Sequence, residues 1–252
     1  MSYGRHTSRN AIQAAILLIL VAQLSGCASA LSTSTDAPTP TQTPAPSATP
    51  TETVPERLVV EVPPGGPATI DGTLSEGEWG GAMQIDIDEE RRLYLMERDG
   101  YLFVGIHSVA MGYGSICLAE DDKVSILHSS AALGTAVYQR DDQGWTRIRQ
   151  FSWCCRETSP GPRQIQHLQE EGWVASIVYM GLVADMEYQI AMPEGGLTMA
   201  VVHQTGESVT TALHWPESLD DDCLGLVGIH DDPPLHLDFA PETWPLFIPA
   251  SQ

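Results

Sequence analysis

A chain of 252 residues with a formal net charge of −21, set by 33 Asp and Glu against 12 Lys and Arg, is not built to hold nucleic acid. Phosphate binding needs clustered Lys and Arg, and Lys123 is the only lysine. The same charge repels an anionic bilayer surface, permits a cationic partner or a divalent metal, and keeps a protein soluble.

Residues 1–27 read as an export signal. Arg5 and Arg9 give a short positive region, Ala11 to Leu24 an apolar run, and Leu24-Ser25-Gly26-Cys27 a small-residue close. The run is shorter than the roughly 20 apolar residues a spanning helix requires. Its last four residues resemble the lipobox of bacterial lipoproteins. The resemblance implies cleavage before Cys27, diacylglycerol on its sulfur and an extracytoplasmic protein anchored to a membrane by lipid. Loss of Arg5 and Arg9 with the signal takes the charge from −21 to −23.

Residues 28–56 change character to Pro, Thr, Ser and Ala without apolar periodicity. Such a segment buries too little apolar surface to offset its ordering entropy. Its Thr-Pro and Ala-Pro steps favour polyproline II at about 3.1 Å per residue. A disordered tether is expected there, followed by one folded domain over residues 57–250.

Within that domain turn signals recur at short intervals and only Gln164–Glu171 has a helical composition, which predicts an all-β antiparallel sandwich with one or two short helices. Arg57–Val62 is a first strand, broken by Pro63-Pro64-Gly65-Gly66-Pro67. Asp71-Gly72 is a tight-turn pair. Ser75 and Glu78 have capping-box spacing, so a helical turn begins at Ser75 and ends on an inward Trp79. Further strands are expected over Met83–Ile87, Arg91–Glu97, Tyr101–Ser108, Lys123–His128, Gly134–Arg140 and Trp145–Ser152. Beyond the helix come Trp173–Tyr179, Met186–Met192, Leu197–Gln204, Ser208–Leu213 and Leu235–Phe239.

Four cysteines remain after Cys27: Cys117, Cys154, Cys155 and Cys223. Outside the cytosol an even set predicts two disulfides, with three pairings available. Neighbouring strand residues point to opposite faces, so Cys154 and Cys155 are expected to bond separately to Cys117 and Cys223. A metal site is the rival, without CxxC spacing to support it.

Ile70-Asp71-Gly72, then Glu78-Trp79 and Ala82, then Leu93-Tyr94 and the hairpin into Tyr101-Leu102-Phe103-Val104, resemble the opening of the family-nine carbohydrate-binding modules, within the wider DOMON-like β-sandwiches. The resemblance covers about residues 68–108. It implies a jelly-roll type sandwich, a structural role for Ile70, Asp71, Gly72 and Trp79, and a glycan as ligand class.

Sugar rings stack on aromatic faces beside polar groups that fix their hydroxyls. Trp215 and Trp244, in Pro-flanked turns, and Trp153 are candidates for that role. Asp220-Asp221-Asp222 and the pair Asp231-Asp232 could supply oxygens to Ca²⁺, though neither run has the D-x-D-x-D-G spacing. Met96, Met111, His107 and His128 show no spacing that singles out haem. No G-x-S-x-G or HExxH occurs, so no enzyme is recognised. The expected function is non-catalytic binding at the cell surface, with a structural or protein-interaction lipoprotein carrying calcium in an acidic loop as the alternative.

Overall fold

Alternation of apolar and polar residues, renewed after each Gly-rich turn, makes strands of more than half of the described residues beyond residue 58. The structure is a computed structural model describing residues 56–110, 112–130, 132–155, 161–180, 183–205, 212–224 and 233–251. The signal, Cys27, most of the tether and Asp231-Asp232 lie outside these. The strands are β1 (Val59–Val62), β2 (Met83–Asp86), β3 (Arg91–Arg98), β4 (Tyr101–Ser108), β5 (Gly112–Glu120), β6 (Lys123–Ser129) and β7 (Leu133–Asp141). They continue as β8 (Gly144–Cys154), β9 (Trp173–Met180), β10 (Val183–Ala191), β11 (Leu197–Thr205), β12 (Ala212–Trp215), β13 (His236–Leu237) and β14 (Leu246–Pro249).

Two sheets result. One runs β1-β14-β11-β5-β6-β7-β8-β13 with β12 also on β11, and the other runs β2-β3-β4-β10-β9. The pairing is antiparallel except for β1 on β14. Leu93, Leu95, Val104, Ile106, Met186 and Tyr188 of the smaller sheet pack against Ile116, Leu127, Met199 and Val201 of the larger, forming the core between them. The all-β sandwich is therefore as the sequence predicts.

Two helices accompany the sheets. α1 (Glu76–Trp79) follows Ser75, whose hydroxyl donates to the Glu78 carboxylate at 2.9 Å rather than capping the backbone. α2 (Pro162–Glu171) begins with Pro at its first turn and ends at Gly172, whose φ of 75° is the left-handed conformation that glycine adopts most easily. Neither is long and apolar enough to cross a membrane, nor is any other helix among the described residues.

Each sheet also carries a cap on its outer face. Residues 63–82 cover the five-stranded sheet. Trp79 lies over Gly105 of β4, where a Cβ would come 3.2 Å from the indole, and meets Tyr94 edge-on at 6.3 Å. Residues 216–224 and 238–244 cover the nine-stranded sheet. There Leu219, Phe239 and Trp244 join Val124, Ile126, Ala136, Tyr138 and Trp145 in a second core.

The disulfides correct the sequence expectation. Cys117 bonds Cys223, tying the second cap to β5, and Cys154 bonds Cys155. β6 and β7 separate Cys117 on β5 from Cys154 on β8. Three strand spacings put them about 14 Å apart, twice what a disulfide spans. Cys155 leaves strand geometry with φ 48°, so alternation no longer separates its side chain from that of Cys154.

Candidate functional site

The two sheets part at one end, where β4, β9 and β11 start and β5 and β10 finish. A cleft of about 570 Å³ opens there, within the ~300–1,000 Å³ range of small-ligand sites. Its floor is the Trp173 indole, fully buried, with Nε1 donating to Thr135 Oγ1 at 3.0 Å. Tyr188 stacks beneath it at 6.1 Å and His167 of α2 meets it edge-on at 5.1 Å. Burial pushes the His167 pKa down, which keeps an uncharged ring against the indole.

The side wall is an ion pair. Arg149 of β8 donates from both terminal nitrogens to Glu171 at the end of α2, at 3.1 and 2.7 Å. This planar fork locks the helix end to the sheet edge. Tyr101, half-buried, stands at the mouth with Glu120, while Ser125 and Thr135 bring hydroxyls inside. Apolar floor, fixed polar wall and a half-exposed aromatic can hold a ring-shaped, hydroxylated molecule. Among the described residues lining the cleft, no hydroxyl is hydrogen-bonded to a carboxylate or imidazole.

Of the tryptophans expected to stack on ligand, the structure leaves one accessible. Trp244 is fully buried in the second core, its Nε1 donating to Asp221 at 2.7 Å. Trp215 is half-buried, 5.3 Å from Phe247 and just before the cis Pro216. Trp153 is 38% exposed on the outer face of β8. Its ring lies on Gly134, where a Cβ would come within 2.7 Å, and beside Phe151 at 4.9 Å. None of the three lines the cleft.

The acidic run is used for folding. Asp221 accepts from Cys223 and Ala240 backbone N–H groups and from Trp244, at 3.0, 2.9 and 2.7 Å. Desolvation raises its pKa. Asp222 accepts from the Asp238 N–H at 2.6 Å, and Asp220 is exposed. Among the described residues no three His, Cys, Asp or Glu side chains gather as a metal-binding group.

Ile70, Asp71, Gly72 and Trp79 form a knot around a residue the sequence did not flag. Glu187 of β10, fully buried, accepts the N–H groups of Asp71, Gly72 and Thr73 on one oxygen, at 2.8, 2.6 and 3.2 Å. Its other oxygen accepts the Trp79 indole N–H at 2.8 Å. Two residues earlier on the same face, Asp185 accepts from Leu74 N–H and pairs with His107 at 2.7 Å. Burial outweighs these donors and pushes Glu187 up to about 7. The signal that could have found it is the turn itself, whose inward N–H groups require an acceptor.

Arg149, Glu171, Thr135 and Tyr101 were also absent from the sequence candidates, and Trp173, one of the tryptophans available for stacking, was not singled out. They stand on four separate strands and a helix end, and only the sandwich brings them together. No family model, curated protein or solved structure matches this chain.

Proposed function

We propose that this chain is a surface lipoprotein whose sandwich binds carbohydrate without transforming it. The observation that carries the reading is the cleft at the sandwich end, with its buried Trp173 floor, half-exposed Tyr101 and fixed Arg149–Glu171 wall. Sugars present an apolar ring face and a polar edge, and the cleft offers both kinds of partner. The resemblance of residues 68–108 to family-nine modules supports a jelly-roll type sandwich and the same ligand class. The lipobox at Leu24–Cys27 and the Pro/Thr tract support an anchored, tethered display outside the cytoplasm.

Affinity electrophoresis of the full chain through gels containing soluble polysaccharides tests the binding. Retardation by at least one polysaccharide, lost in Tyr101→Ala with an unchanged melting temperature, is the expected result. Uniform mobility in every gel would sink the proposal. Metabolic labelling with palmitate, abolished by Cys27→Ala, checks the anchor.

A further inference from the structure

The cleft's lining has a charge pattern that bears on which carbohydrate enters. Three carboxylates line it, Asp99, Glu120 and Glu171, against one cation, Arg149. That guanidinium is paired: both terminal nitrogens donate to Glu171. Asp99 is likewise engaged, accepting from Arg98 Nε at 3.0 Å. Glu120 is exposed at the mouth and has no ion pair among the described residues.

Among the lining residues an anionic sugar would meet no unpaired cation. At Arg149 its carboxylate would face a charge already neutralised by Glu171, with the Glu171 carboxylate beside it. A protonated amine would meet Glu120 directly. The deeper groups are neutral. Thr135 Oγ1 already accepts the Trp173 N–H, so its own O–H is available as a donor. Ser125 adds a second hydroxyl. The surrounding field has the same sign as the mouth, since the whole chain carries −21.

We infer that the cleft discriminates sugars by charge: it takes amino-bearing saccharides in preference to neutral ones and excludes uronic-acid saccharides. The inference rests on the proposed carbohydrate function and refines it to a class. The discrimination comes from Glu120 at the mouth and from the closed Arg149–Glu171 pair in the wall.

The test is isothermal titration of the full chain with three oligosaccharides of equal length. These are a neutral N-acetylglucosamine oligomer, its deacetylated ammonium form at pH 5.5, and an oligogalacturonate. At low salt the ammonium oligomer should bind about fivefold tighter than the neutral one, the size of an exposed ion pair, and 0.5 M salt should close the gap through screening. Glu120→Gln should bring the ratio of the two affinities towards one. Oligogalacturonate should give no heat. Oligogalacturonate binding as tightly as the ammonium form, or an ammonium preference untouched by Glu120→Gln, would overturn the charge inference while leaving carbohydrate binding standing. Silence from all three oligomers with a folded protein would instead remove the carbohydrate reading on which it depends.

Discussion

The two caps solve one problem in the same way at opposite faces of the molecule. Each lays irregular chain over a sheet, and irregular chain brings unpaired N–H groups with it. In the first cap Glu187 collects three backbone N–H groups and the Trp79 indole. In the second Asp221 collects two backbone N–H groups and the Trp244 indole. Both tryptophans are buried with their only polar atom satisfied. The difference lies in where the carboxylate stands. Glu187 belongs to the sheet and reaches out to its cap, whereas Asp221 belongs to the cap and ties it internally. The links from the second cap to its sheet come from elsewhere: the Cys117–Cys223 bond, the β13–β8 pairing, and Tyr138 and Trp145 donating to the Pro234 and Phe239 carbonyls.

The sharpest way to break the comparison is Glu187→Leu, which leaves the buried Gly72 N–H and Trp79 indole N–H without an acceptor. Loss of an acceptor shared by several buried groups should cost about 4 kcal/mol, read as a lower denaturation midpoint. A loss below about 1 kcal/mol would show that water replaces the carboxylate. Next comes Cys117→Ser with Cys223→Ser, which opens a link between residues 106 apart. It should cost about 3 kcal/mol and should raise amide exchange in residues 216–224 without changing it in residues 63–82. Asp221→Asn should cost about 2 kcal/mol, because one amide oxygen can still serve Ala240 and Trp244 while Cys223 N–H loses its acceptor.

The smallest expected effect is a pH slope. Glu187 is raised from its ordinary 4.5 to about 7, so the folded protein binds more protons than the unfolded chain in that window. Its contribution is complete below about pH 4.5 and is lost as pH rises through about 7. Asp221 is shifted in the same direction. His203 works against them. It is buried on β11 with neither ring nitrogen hydrogen-bonded, and desolvation pushes it down to about 4. Its contribution is complete above pH 6.5 and is lost as pH falls through about 4. Between about pH 4.5 and 6.5 the Glu187 and His203 contributions nearly cancel. His203→Leu should unmask the carboxyls, giving a stability that falls with rising pH by about 1.4 kcal/mol per unit. An unchanged slope in denaturation midpoints across that range would show that His203 carries no such penalty.

Much of the sandwich was legible because its strands keep strict alternation. β3, β4, β6 and β11 lie within a residue or two of where the pattern puts them. β5 was not foreseen; it carries two glycines, Gly112 and Gly114. Both are in-strand because of close approaches: a Cβ on Gly112 would come 2.5 Å from His203 Nε2, and one on Gly114 2.6 Å from the Tyr188 hydroxyl. β14 was missed because its Pro-flanked, four-residue run finds its partners only in distant chain, between β1 and β11. Of the site, the IDG–W knot showed as a local turn, but its acceptor lies more than a hundred residues away. The cleft was invisible for the same reason: it is assembled by register, not by spacing.

The pairing of β1 with β14 has a mechanical side. β1 is the first strand after the Pro/Thr tract, and four register pairs join it to β14 in parallel. Arg57 pins its start to Thr198 and to the carbonyl of Pro241. A pull along β1 from residue 56 therefore shears those pairs together instead of peeling them one after another. A single-molecule pull from that end should meet its main resistance at the first rupture. Tugging on the line reaches that seam before it reaches the cleft.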